Sequence, residues 1–323
     1  MDGKMPLIKL VSYAFCCLII FTGCNMSNQP QLSLLLKKDL PGFSSASAIE
    51  MHDGWLYVIG DDSRYLVVLD KHYNIFDTVM LFPGEGLRIP KKEKSDLEAS
   101  TIVEYNGKDH LLVAGSASTP EREVFFLFPL NKPRDYQAIP AQAFYQSVKQ
   151  QGLHIINIEG LVNIRNKLLL ANRANESQPQ NHFITVQADF LYDTKLAAPV
   201  ISTLKLPQAA DAVIGVSGLA YVAEKDLLLF TASVELTDNA VDDGDIGNSY
   251  LGYISGFSMK MQQREVLADG LINLSELQAE FANEKIESVC VESAGDNLVL
   301  HLVADNDNGT STLFKVSMPN PAR

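Results

Sequence analysis

Short apolar runs recur along the chain in pairs, each pair joined by a polar turn and introduced by Ser or Glu. Ser45-Ala46-Ser47-Ala48-Ile49 leads through Asp53-Gly54 to residues 55–59, and Glu98-Ala99-Ser100-Thr101-Ile102 leads through Asn106-Gly107 to 111–113. Glu159-Gly160-Leu161 passes Arg165-Asn166 to 168–170, Ser217-Gly218-Leu219 passes Glu224-Lys225 to 227–230, and Glu287-Ser288-Val289 passes Ala294-Gly295 to 298–300. Asp-Gly and Asn-Gly between apolar runs predict two-residue hairpins, because both central residues of that turn need positive φ. A third run follows in each unit, at 65–69, 124–128, 183–186, 250–254 and 312–316. Four units carry a fourth, at 75–82, 136–139, 200–206 and 265–268. A unit of four antiparallel strands repeated along a chain is a propeller blade.

The opening residues 45, 98, 159, 217 and 287 lie 53, 61, 58 and 70 residues apart, and the fifth unit runs out of chain before its fourth strand. The spare strand is at the other end, at 32–36. The expected fold is therefore all-β, a five-bladed propeller whose N-terminal strand completes the last blade and removes the free sheet edges at the seam. The longest interval leaves room for a sixth blade. Two polar stretches, 141–151 and 274–282, are expected to be helical insertions between blades.

Residues 1–23 differ in kind. Lys4 and Lys9 precede an uncharged apolar stretch at 10–21, too short to span a bilayer, followed by Thr22-Gly23-Cys24. This reads as an export signal, and the small residues before Cys24 resemble the lipobox of bacterial lipoproteins, with Phe21 where Leu is usual. The resemblance implies cleavage before Cys24, lipid on its thiol, a tether at 24–31, and a single domain at 32–323 held at the membrane of the cell envelope. An ordinary cleaved signal is the alternative. Of four cysteines the mature chain keeps Cys24 and Cys290, and Cys290, flanked by Val289 and Val291, reads as a buried thiol. The chain carries a formal charge of -13, and loss of the signal makes it one unit more acidic. That balance disfavours nucleic acid as a partner and permits cationic ligands and metal ions.

In a propeller the first strand of every blade lines the channel. Ser45, Glu98, Glu159, Ser217 and Glu287 should therefore form a ring at one mouth, where Glu98, Glu159 and Glu287 would repel one another unless a cation or proton joined them. Oxygen ligands of this kind suit calcium or magnesium rather than zinc, calcium being the expected ion. The glutamates could instead cap backbone amides at the blade junctions. Loops expected on the same face offer Asp61, Asp62, Lys94, Arg122, Asn172, Arg173, Glu235 and Asp305 as ligand-binding candidates, acids and arginines being able to hold a cation and a phosphate together. The acidic insertion at 238–249, with Asp243, is either a lid or a solvated loop; it lacks EF-hand spacing.

No nucleophile elbow, His-Glu-x-x-His, paired Cys-x-x-Cys, phosphate-binding glycine loop or dinucleotide fingerprint is present. Glu-Gly-Leu at 159–161, Ser-Gly-Leu at 217–219 and Asp-Leu-Glu-Ala at 96–99 resemble the inner strands of the phytase-like (esterase-like) propellers. More closely, Tyr57-Val58-Ile59-Gly60-Asp61-Asp62-Ser63, the run Ile89-Pro90-Lys91-Lys92-Glu93-Lys94-Ser95-Asp96, and Asp243-Gly244 with Gly247-Asn248-Ser249 are similar to a family of uncharacterised secreted bacterial propellers related to them. The resemblance implies the fold over about residues 32–318, without an assigned reaction. Calcium-dependent phytases use basic residues as well, for which Lys94, Arg122 and Arg173 are the candidates here. The expected function is ligand or metal binding at the channel mouth of an envelope lipoprotein. A metal-dependent phosphoesterase or esterase, and a protein-interaction platform, are the alternatives.

Overall fold

A computed structural model describes residues 1, 31–207, 212–236, 245–305 and 309–321. The export segment, Cys24, Asp243 and most of the acidic insertion lie outside the described residues, as does the side chain of Glu235. Five antiparallel sheets form a five-bladed propeller, with no sixth blade among the described residues. Blade 1 is Ala46–His52, Trp55–Gly60, Tyr65–Leu69 and Ile75–Met80. Blade 2 is Leu97–Tyr105, Lys108–Gly115, Val124–Pro129 and Gln137–Pro140. Blade 3 is Ile158–Ile164, Lys167–Asn172, Asn181–Gln187 and Val200–Lys205. Blade 4 is Ile214–Val222, Leu227–Leu236, Asp245–Ser255 and Gly270–Asn273. Blade 5 takes three strands from the end of the chain, Ile286–Ala294, Asn297–Asp305 and Ser311–Pro319, and its fourth, Ser33–Leu40, from the beginning.

The hairpin turns behave as their residues require. Asp53-Gly54, Asn106-Gly107 and Arg165-Asn166 all have positive φ at both positions. Blade 4 turns differently, through a short 3-10 helix, Ala223–Lys225, that ends on left-handed Asp226. One expected strand is corrected. Glu265–Leu267 does not complete blade 4 but pairs in parallel with Thr203–Lys205 on the outer edge of blade 3, and Gly270–Asn273 takes its place. The expected helices are present as Gln142–Gln150 and as Leu274–Leu277 with Ala279–Phe281.

Every inner strand slips register at its start: between Ala46 and Ala48, Leu97 and Ala99, Ile158 and Gly160, Val216 and Gly218, and Ile286 and Ser288. The residues skipped are Ser47, Glu98, Glu159, Ser217 and Glu287, so a β-bulge recurs at one position in all five blades. Bulges re-aim a side chain and sharpen the local twist. The ring member of blade 1 is thus Ser47 rather than Ser45. Each bulged residue precedes a small one, Ala48, Ala99, Gly160, Gly218 or Ser288, because the inner strands converge there. A Cβ on Gly218 would lie 2.7 Å from Ser288 Cα and 2.8 Å from the Glu287 carbonyl oxygen.

Apolar clusters fill the five seams between neighbouring blades. The seam between blades 5 and 1, which holds the buried and unpaired Cys290, also buries a polar chain. His301, with no side-chain exposure, sits 2.8 Å from the Tyr73 hydroxyl through Nδ1 and 3.1 Å from Glu292 Oε2 through Nε2, and Lys315 pairs with the same carboxylate.

Candidate functional site

The bulges aim three glutamates at one mouth, and the loops around it bring a dense set of charges. Asp61 and Asp62 follow the second strand of blade 1, Lys94 and Asp96 lead into blade 2, and Arg122 lies beyond blade 2's second strand. Asp96, buried and held at φ 55°, is the hub of this half. Its Oδ1 is 2.6 Å from Lys94 Nζ, and its Oδ2 accepts from Arg122 and from the Ser116 hydroxyl, both at 2.6 Å. Arg122 also donates to Ser118 at 2.8 Å, and Lys94 bonds Asp61 as well. Behind them Asp62 accepts from Arg88 and Ser45, each at 2.7 Å.

Across the mouth Arg173 spans two blades. Its guanidinium lies 3.6 Å from Glu159 Oε2 and 3.9 Å from Glu287 Oε2, and donates to Ser233 at 3.0 Å. Lys285 pairs with Glu287 at 3.1 Å, and Asn157 donates to Glu159 at 2.7 Å. The bulge serines brace the ring instead of facing a ligand: Ser217 donates to the Ile286 carbonyl at 2.7 Å, and Ser47 to that of Leu97. Asn172 is fully buried and bonded to the Ile155 carbonyl and the Asn157 amide, which makes it a loop brace. Asp305 is half-buried and close enough to Arg88 to act on its charge.

Glu98 stands apart. It is half-buried and, unlike Glu159 and Glu287, makes no ion pair or hydrogen bond with the described residues. Burial, reinforced by the carboxylates of Asp96, Glu159 and Asp61, raises its pKa well above the ordinary carboxylate range. Burial raises Asp61 too, with Lys94 opposing. Lys94 is pushed up by Asp61, Asp96 and Glu98 against the cost of its own burial, and stays charged. Three carboxylates therefore share two cations, Lys94 and Arg122, and one proton or one further positive group would balance them. Two more oxygens in this mouth are buried and accept no hydrogen bond from the described residues, Asp61 Oδ1 and Glu287 Oε2.

The ligand geometry for a metal falls on a set different from the three bulge glutamates. Among the described residues Asp61, Asp96 and Glu98 each bring one oxygen within 4.8 Å of the others, whereas Glu159 and Glu287 are gathered by Arg173. The expected site residues Asp61, Lys94, Glu98, Arg122, Arg173, Glu159 and Glu287 do converge. Sequence reasoning passed over Asp96 as a site residue, and with it Arg88 and Lys285. The Asp96-Leu97-Glu98 spacing, which puts two carboxylates on either side of Leu97 at the start of an inner strand, was the available signal.

A family model matches residues 42–318, nearly the whole ring. The chain belongs to DUF6929, a family of unknown function. No curated protein matches it. Among solved structures it is similar to glutaminyl cyclase of Myxococcus xanthus, with 10% identity, a TM-score of 0.52, and 90% of this chain covering 98% of that one. It is also similar to a catalytically inactive virginiamycin B lyase from Staphylococcus aureus, solved with quinupristin, at 8% identity and a TM-score of 0.41, covering 89% of this chain and 99% of that one. At such identities the likeness is one of fold alone.

Proposed function

We propose that the chain is an exported envelope lipoprotein whose propeller mouth binds a small molecule carrying a cationic or hydrogen-bond-donating group. The observation that supports this most is the unpaired Glu98 carboxyl, set in a ring whose other carboxylates are matched by Lys94, Arg122, Arg173 and Lys285. A ligand amine or amidinium would bond Glu98, with Asp61 Oδ1 as a second acceptor. Arg122 and Arg173, on opposite sides of the mouth, would read a polar or anionic remainder. Calorimetry with small amines, guanidines and amino acids should find a binder that Glu98→Gln loses. Without ligand the same change should raise the melting temperature by about 2 °C, because it removes a carboxylate from beside Asp96 and Asp61. A variant that melts below the wild type would show that Glu98 is a structural partner.

The Asp61, Asp96 and Glu98 oxygens favour a second reading, a calcium site serving phosphoester or ester hydrolysis through metal-activated water. Lys94 already places its ammonium between Asp61 and Asp96, so a divalent ion would have to displace it. Calcium is accordingly expected to leave the melting temperature unchanged. A rise that disappears in Glu98→Gln would reverse the order of the two readings.

Anchoring rests on Thr22-Gly23-Cys24 after the short apolar run. Labelled palmitate fed to the producing cell should enter the wild type and not Cys24→Ala. Equal labelling of both, or of neither, would remove the lipoprotein reading.

A further inference from the structure

The parallel strand Glu265–Leu267 does more than extend blade 3. By crossing from blade 4 to pair with Thr203–Lys205 it carries Arg264 over the outer rim of blade 3, where the Arg264 carbonyl accepts from the Thr203 amide at 2.8 Å. A cavity of about 770 Å³ opens there, away from the channel, lined by Gln151, Gln178, His182, Thr203, Arg264 and Glu265 over the apolar floor of Leu153 and Ile201. Its walls are set in advance: Gln151 Nε2 donates to the Pro199 carbonyl at 2.8 Å and Gln178 Nε2 to that of Ile155 at 3.2 Å.

Two groups in this cavity lack what they need. His182 Nδ1 is buried with no hydrogen-bond partner among the described residues, a state that buried ring nitrogens rarely keep without a ligand or water. Arg264 is exposed, and its guanidinium has neither ion pair nor hydrogen bond among the described residues. Lys205, the other cation nearby, is paired with Glu265 at 3.5 Å. The unmatched charge is therefore Arg264's, in a chain whose net charge is -13.

We propose that this cavity is a second binding site, for a small oxyanion, a carboxylate or phosphate group held by the Arg264 guanidinium beside the His182 ring. Guanidinium matches the geometry of such groups through paired N–H donors. The imidazole would complete the contact as a donor once protonated. Burial and the neighbouring Lys205 hold its pKa below the usual imidazole value, against the opposing pull of the Gln180 backbone, so the free site is neutral at His182 and anion binding draws a proton onto the ring.

The experiment is histidine-ring ¹⁵N NMR of the labelled protein during titration with inorganic phosphate and, separately, with acetate, the His182 signal being assigned through His182→Gln. Phosphate or acetate should shift that signal and move its half-titration to higher pH. A response to phosphate alone identifies a phosphate group as the ligand, and a response to acetate a carboxylate. Arg264→Ala, which removes a side chain without ion pair or hydrogen bond among the described residues, should weaken the response about tenfold or more, as loss of a charge-assisted contact requires. If neither anion moves His182, or if the alanine variant binds as tightly as the wild type, the site does not exist.

Discussion

Removal of the chain through Leu40 should abolish cooperative unfolding, whereas removal of residues 25–30 alone should leave the melting temperature where it was. Ser33–Leu40 ties the two ends of the ring together, its ladder running from Ser33 opposite Ser317 to Leu40 opposite Ser311. Leu32 and Leu40 are buried, at 2% and 3% exposure, Leu32 in the seam between blades 4 and 5, and Leu40 with Phe43 in that between blades 5 and 1. Burial of each leucine contributes about 1.5–3 kcal/mol. Lys37 adds an ion pair at 2.7 Å to Glu284 and stands over the Phe314 ring. Against a total stability on the order of 5–15 kcal/mol, loss of these contacts together with a whole ladder leaves little margin. Blade 5 would also present the length of Ser311–Pro319 as an open edge, a template for association with other chains. Circular dichroism melts and sedimentation would register both effects. A truncated chain that melts sharply, as a monomer, near the wild-type temperature would refute closure by the N-terminal strand.

The blades were legible because each carries its own turn and its own apolar period, and the closure was legible because a strand was missing at one end and spare at the other. The ring was harder to place. In Ser44-Ser45-Ala46-Ser47-Ala48 two Ser-Ala pairs stand two residues apart, and a slip of two keeps every side chain on its face, so alternation cannot choose between Ser45 and Ser47. The register break between Ala46 and Ala48 decides it. Glu265–Leu267 was misplaced for a different reason. Its apolar pattern shows a strand but not which edge it meets, and parallel pairing with blade 3 depends on how the chain turns at Phe257–Lys260. The charges of the mouth were found one by one. Their pairing was not, because Asp96 gathers Lys94 and Arg122 through a left-handed backbone that only the folded chain displays.

Acid should weaken the fold through the buried chain at the seam, and His301 gives the effect its sign and its window. Burial lowers its pKa from 6.5 to about 4, the nearby Glu292 only partly opposing. Between these values the unfolded chain binds a proton that the native chain refuses, so stability falls as pH drops from 6.5 and the loss is complete near pH 4. A difference of that size corresponds to about 3 kcal/mol, most of it reached by pH 4.5. Glu292, whose pKa is lowered by Lys315 and His301 against its own burial, adds a loss in the same direction only as pH falls below its ordinary value of 4.5. Glu50 and Cys290 lie beside this chain with their pKa values raised by burial, and protonation of Glu50 in acid works the other way. The histidine part is therefore isolated by comparison. Urea unfolding at pH 7 and near pH 4.5 should show the wild type losing about 2–3 kcal/mol more than His301→Gln, which keeps a polar side chain between Tyr73 and Glu292 but cannot charge. The variant should be the less stable of the two at pH 7, where it lacks the fitted contacts to both neighbours. An equal loss in the two proteins would mean that His301 is protonated in the native state or that the carboxylates govern the acid transition.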